Sequence, residues 1–238
     1  MAVEPLIDAT KELARRTDAL EFAAPVAYVY NPLDYAWESY RTYLERFANG
    51  TKRVVFMGMN PGPWGMTQTG VPFGEINAVS SWMGIHAPIG KPKREHPKRR
   101  VEGYDCSRSE VSGRRLWGLM RDTFGSADAF FRDHFVANYC PLVFLEDSGR
   151  NRTPDKLPAA ERAPLFELCD RTVRRVLEEL SPQFAIGIGK FAESRLATIA
   201  EGLPVTVTTV LHPSPANPRA NRDWAGEATR ALRDAGVW

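Results

Sequence analysis

At 238 residues, 43% of them hydrophobic and 25% charged, the chain has room for one sizeable core and is short for two, and neither disorder nor a fibrous repeat fits that composition. Its formal net charge of +2 names no polyanionic partner. No apolar run approaches the roughly 20 residues that cross a bilayer, and Glu4, Asp8 and Glu12 occupy the place of a signal's apolar stretch, so a cytoplasmic location without membrane contact is expected.

The first periodic segments, Ile7 to Leu20 and Tyr35 to Phe47, read as amphipathic helices, the second closed by Asn49-Gly50. They make a helical N-terminal extension, about residues 1–50, to a single domain over residues 1–238. Thr51 to Met57 is β-branched and continuously apolar, as a strand buried on both faces of a parallel sheet is. Glu75 to Met83 suggests a short helix, and the Pro- and Lys-rich stretch to about Cys106 a long loop of the kind that is functional or mobile. Ser112 to Phe124 reads as a helix stopped by Gly125, and Phe135-Val136-Ala137 as the centre of a second strand ending at Asn138. A helical period runs from Ala159 to Leu180 and stops at Ser181-Pro182. Phe184 to Ile188 is a third strand, followed by a helix from Lys190 to about Ala200; Val205 to Leu211 is the fourth, and a last helix spans roughly Trp224 to Asp234.

Strands separated by helices imply right-handed crossovers. The expected fold class is therefore α/β, a three-layer domain with a central four-stranded parallel sheet flanked by helices. The carboxyl edge of such a sheet, where open α/β folds bind ligands, would collect Asn60, Asn138, Lys190 and His212.

Other classes lose their support. Cys106, Cys140 and Cys169 are odd in number and far apart, which argues for buried thiols over a disulfide framework or a cubane cluster. The four histidines lack the close pairing of metal ligands, so no metal is expected. No GxGxxG opening a helix, Walker A motif or GxSxG elbow is present. Lys91, Lys93, Arg94, Lys98, Arg99 and Arg100 crowd one Pro-rich segment, which is either a solvated mobile loop or a phosphate-contacting surface.

The run GMNPGPWGMTQTGVPFGE, Gly58 to Glu75, empties a buried strand into a Gly- and Pro-rich loop around Asn60. That arrangement brings backbone N–H groups and one amide close to a small ligand. An amide takes up no proton near neutrality but holds a water by donor and acceptor together, which suits a reaction whose electrophile is already reactive. His212, at the end of the fourth strand, can donate to an oxygen on which negative charge develops, beside backbone N–H groups of the Met59–Asn60 turn. Taken singly, Asn60 is at home as a turn former and His212 as a rim histidine; their shared edge favours chemistry.

GMNPGPWGMTQTGVPFGE and HPSPANPRANRDW, with EHPKRRVEGYDCSRSEVSG and NYCPL between them, resemble the signature segments of the single-strand-selective monofunctional uracil-DNA glycosylase family, from about Val54 to Trp224. The resemblance implies a uracil-DNA glycosylase-like fold, no cofactor, and DNA, single- and double-stranded, as the partner. It also implies a monomer with no obligate protein partner, working in a bacterial nucleoid or a eukaryotic nucleus. The implied reaction flips uracil, or 5-hydroxymethyluracil, out of the strand and hydrolyses its N-glycosidic bond, leaving an abasic site. Asn60 would then position the water and His212 stabilise the uracil anion at O2. Phe73 would stack on the base, Asn138 would read N3–H and O4, and Met59, Gly62 and Met66 would complete the base site. Gly62 stands where narrower relatives carry an aromatic against C5, so open space around C5 is expected. The Pro213-Ser214-Pro215 turn, with Ala216, Asn217, Pro218 and Arg219, would form a wedge entering the duplex; family members often carry Arg at the position of Ala216, and Arg219 or Arg222 could compensate. Lys190 would hold a DNA phosphate at a helix N-terminus. A mismatch-specific uracil/thymine glycosylase and a noncatalytic DNA-damage binding module are the alternative readings.

Overall fold

The computed structural model describes residues 3–238. Helix α1 (Glu4–Asp18) starts with Pro5 in its first turn and faces Leu6, Ile7, Leu13 and Ala14 inward. Strand β1 (Tyr28–Tyr30) follows, then the short α2 (Pro32–Tyr35), α3 (Trp37–Phe47) and β2 (Val54–Gly58). All five residues of β2 are buried, as its unbroken apolar sequence requires. Beyond a single turn, α4 (Met66–Thr69), a long connection leads to α5 (Val111–Phe124) and α6 (Ala127–Asp133). Strands β3 (His134–Asn138), β4 (Val143–Leu145) and β5 (Asn151–Arg152) come next. The chain closes with α7 (Ala159–Leu180), β6 (Phe184–Ile188), α8 (Lys190–Ile199), β7 (Thr206–Val210) and α9 (Pro218–Asp234).

The main sheet is four-stranded in the order β3-β2-β6-β7, and every pair in it is parallel. Its register sets Gly58 beside Asn138 and Ile188 beside Val210, so all four strands end along one edge. Helix α8 packs on β6 and β7, α9 on β7, and α1 on α7. Under β3 lies an aromatic core in which Tyr43 donates to the Val136 carbonyl (2.8 Å) and Phe47 stacks on Phe131 at 4.0 Å.

Several expectations need correction. The N-terminal segment is not purely helical: β1 pairs with β4, and β4 with β5, in a small antiparallel sheet. The short helix expected at Glu75 to Met83 is a π-helical turn over Ala78–Trp82. α6, capped by the Ser126 hydroxyl on the Ala129 N–H, was not expected, and a short helical segment from Pro218, set off by a non-helical break at Asp223, precedes the helix expected from about Trp224, the two together making α9. The basic loop is also pinned. Buried Gln68 donates to the carbonyls of Pro63 and Arg100 and accepts from the N–H groups of Glu102 and Gly103, while Arg94 lies over Tyr28 and Arg99 over Trp64.

Gly187 shows how closely these layers meet. A Cβ there would lie 2.5 Å from the Glu193 Cα and overlap its backbone nitrogen, so α8 rests on β6 backbone to backbone. Gly187→Ala must push the two apart, and overpacking of this kind costs roughly 1–3 kcal/mol. The expected result is a lower urea midpoint with an unchanged slope; a midpoint equal to the parent's would show that α8 gives way freely.

Candidate active site

The carboxyl edge of the main sheet opens into a cavity of about 350 Å³. Met59, Asn60 and Gly62 line it from the loop after β2, Asn138 from the end of β3, and His212 and Ser214 from the loop after β7. Phe73 lines it as well. A larger groove of about 640 Å³ runs between α1 and α7, but charged residues dominate its rim, several of them paired along their own helices (Glu12 with Arg16, Arg174 with Glu178), and no strand end reaches it. The polar groups converge in the smaller cavity.

His212 is fixed in one protonation state and one tautomer. Burial holds its imidazole below the usual histidine value, so the ring is neutral at neutral pH. The Ser214 N–H donates to Nδ1 (3.1 Å), which must therefore be the unprotonated nitrogen, and the ring proton sits on Nε2. Gly189, at φ +91°, keeps the floor behind the ring clear: a Cβ there would lie 3.1 Å from the His212 Cβ. Trp224 ties the strand end down by donating to the Leu211 carbonyl (2.6 Å).

The two amides are oriented in the same way. Asn60 donates from Nδ2 to the Leu142 carbonyl (3.1 Å), which leaves Oδ1 as the atom free to accept from a water. Asn138 places Nδ2 against the sulfur of Met66 (3.3 Å). A thioether can only accept, so this contact decides the flip of the amide and leaves one N–H and Oδ1 for a ligand. Met66 thus sits behind Asn138 and does not line the cavity.

Phe73 carries backbone strain. Its φ of 52° lies in the left-handed region, which bulky residues avoid. Its carbonyl accepts from the Glu75 N–H (2.7 Å) and from Trp117 Nε1 (2.9 Å), and a Cβ on Gly113 would overlap that oxygen, so α5 is seated directly on the strained turn. The ring packs on Gly58 and faces His212 with centroids 6.4 Å apart. Strain held in place at a cavity wall is a mark of function.

Residues 45–233 match the family model described as the uracil DNA glycosylase superfamily. Curated proteins named single-strand selective monofunctional uracil DNA glycosylase are 45% identical over 98% of this chain and 85% of the relative in Mus musculus, and 47% identical over 92% and 81% in Bos taurus. The chain belongs to this family of glycosylases. A solved structure, titled the wild-type SMUG2 of Pedobacter heparinus, covers 96% of this chain and 97% of its own with a TM-score of 0.66; at 17% identity it shows the shared fold.

The rest of the glycosylase's expected site lies outside the cavity. Buried Pro213 leads into a surface turn of Pro215, Ala216 and Asn217 beside it, which ends at Pro218, the first residue of α9, and is knitted by Ala216 N–H to Ser214 Oγ (3.1 Å) and Asn217 N–H to the Ser214 carbonyl (3.0 Å). Arg219 is held by Glu227 (2.6 Å), and exposed Lys190 by Glu193 (2.7 Å). Neither is a free cation.

Sequence reading assigned no role to Glu110, Ser112, Asn151 or Thr153, all of which line the cavity. Glu110 overturns the expectation of open space around Gly62: a Cβ on that glycine would overlap its Oε1. Glu110 is half-buried as a residue, but its Oε2 is sealed from solvent, and burial together with the nearby Glu75 pushes its pKa up to about 7. The folded protein therefore keeps a proton that the unfolded chain has released, and stability falls as pH rises from 4.5 through about 7. Glu110→Gln removes that loss. Its stability relative to the parent should rise by about 2–3 kcal/mol between about pH 5 and about pH 8. Urea unfolding at the two pH values checks this, and an equal difference at both would mean that Glu110 titrates normally.

Proposed function

We propose that this chain, a member of a family of monofunctional uracil-DNA glycosylases, hydrolases of N-glycosyl bonds, excises uracil and 5-hydroxymethyluracil from single- and double-stranded DNA by flipping the nucleotide into the cavity at the sheet edge, and that it acts as a monomer. The observation that carries this reading is the pairing of two neutral, pre-oriented groups in one cavity: Asn60 with Oδ1 free, and His212 with its proton on Nε2.

Loss of the base leaves positive charge on the sugar and negative charge on the uracil. Asn60 Oδ1 accepts a hydrogen bond from the water that attacks C1′ of the sugar, placing it rather than deprotonating it, and the proton the water loses as its oxygen bonds to C1′ neutralises the uracil anion. His212 Nε2–H donates to O2 as the charge develops there, and because the ring is neutral it strengthens this bond in the transition state without protonating the ground state. Phe73 supports the face of the base. Asn138 accepts from N3–H with Oδ1 and donates to O4 with the N–H that Met66 does not take, a pattern that cytosine does not match.

Asn60→Ala and His212→Ala are each expected to lower single-turnover excision from a uracil-containing oligonucleotide at least tenfold, on the order of 1.4 kcal/mol, with DNA binding nearly unchanged. Abasic product is read by alkaline cleavage; parallel loss of binding would assign both residues to structure, and a parent protein that releases no base would leave only damage binding.

The turn after His212 supplies the wedge in this reading. Flipping loses stacking worth a few kcal/mol, and the exposed Ala216 fills little of the gap. Ala216→Arg adds a planar cation that stacks and contacts phosphate, and should raise the double- to single-strand ratio of single-turnover rates about threefold or more at fixed salt. An unchanged ratio would remove Ala216 from the wedge.

A further inference from the structure

The reading above sets C5 of the flipped base against Gly62, and there the wall is a carboxyl. A Cβ on Gly62 would overlap Glu110 Oε1, and one on Gly65 would lie 2.5 Å from its Cδ, so the carboxyl occupies a slot that exists because both residues are glycine. Oε2 is sealed and has no hydrogen-bond partner among the described residues. Asn151 repeats the pattern from the other side of the same loop. Its Nδ2 donates to the Pro61 carbonyl (3.4 Å), its Oδ1 is sealed and unpartnered, and it lines the same cavity. Both side chains line the cavity beside Pro61 and Gly62, and a polar ligand group entering there meets the Glu110 carboxyl at Oε1, the oxygen set against Gly62.

We propose that Glu110 is the specificity-determining residue on the C5 side of the base, its carboxyl hydrogen-bonding a hydroxyl carried on C5 and standing unpaired against a methyl in the same place. The inference rests on the cavity being a uracil site. A neutral carboxyl and a hydroxyl each donate and accept, so they pair in either sense. A methyl offers neither donor nor acceptor and leaves the carboxyl without a partner.

The surroundings keep the carboxyl available. Glu75 spends its own oxygens on the Ala78 N–H and the Ser109 hydroxyl, and its charge, added to burial, favours the protonated form of Glu110. His212, on the same cavity, is neutral. Arg108 lies over Trp64 (4.6 Å to the ring centre) and Arg114 donates to Ser109, so neither pairs with Glu110. Glu110 also precedes α5 without capping it through its side chain, and its substitution leaves the helix start's bonds in place.

The test is single-turnover excision from single-stranded oligonucleotides carrying one uracil or one 5-hydroxymethyluracil, with the parent, Glu110→Gln and Glu110→Ala. In Glu110→Ala the ratio of 5-hydroxymethyluracil to uracil rates should fall about tenfold, the effect of losing one buried hydrogen bond. Glu110→Gln, which keeps a donor and an acceptor, should recover most of it. If the alanine variant does not fold, Glu110→Met, similar in volume and without those bonds, takes its place. A ratio equal to the parent's overturns the proposal. Equal losses on both bases in the Gln and Ala variants overturn it too, by assigning Glu110 to structure or to chemistry common to both substrates. A parent that excises 5-hydroxymethyluracil but not uracil, or neither, is recorded separately and counts against the uracil-site reading itself.

Discussion

Gly58 ends β2 directly beside Asn138 of β3, and a side chain there would lie 2.5 Å from the Phe73 ring and 2.7 Å from the Asn138 amide oxygen. The two groups that bound the base side of the cavity therefore share one missing Cβ. From that point the dependencies run outward. The Phe73 ring reaches Gly58 because its backbone sits at φ 52°, and that conformation is held by the Trp117 and Glu75 bonds to its carbonyl. The carbonyl in turn is reachable because Gly113 lets α5 come down on it. Close approach of this kind has no slack in a core packed like a crystal, so this wall of the cavity is a consequence of two glycines and one strained phenylalanine.

No cation faces this cavity among the described residues. Three of its lining side chains are amides, one is an imidazole whose charged form burial disfavours, and one is a carboxyl pushed up to about 7. Fixed dipoles suit a reaction in which charge separates from a neutral reactant, because they are oriented before the charge develops. A buried cation opposite the departing base would bind its anion more strongly, but it would have to survive desolvation in the free protein.

Much of this was legible in the sequence. α7 and β6 have the bounds that the helical period, the Ser181-Pro182 stop and the continuous apolar run gave them, and the four parallel strands follow from their alternation with helices. The small sheet was not legible, because strands of two or three residues have no period and are defined by partners far away, as β1 is by β4. The start of α9 does carry a signal in the sequence: Asn217 accepts from the Arg219 N–H at the cap and Pro218 takes the first turn, the pattern of a helix start. The break at Asp223, with φ −162°, explains why periodicity appeared only after Trp224. In the site, Asn60 and His212 stood out because each follows an apolar run. Glu110 did not, because nothing in its local sequence says that a distant pair of glycines has left room for its carboxyl.

α5 joins the two halves of the site. Its N-terminal end supplies Glu110 and Ser112 to the cavity, and Gly113 and Trp117, one turn apart and so on one face, grip Phe73. Arg115 points the other way, donating to the Pro213 carbonyl (2.9 Å) and to Asn221 Oδ1 (2.8 Å), while Asn221 donates to the Pro215 carbonyl (2.8 Å). One helix thus sets the wall beside the base and the backbone of the turn after His212, and the Ser214 N–H that fixes the His212 tautomer belongs to that same turn. Moving the turn after His212 would therefore strain bonds of the same helix that holds the Phe73 wall.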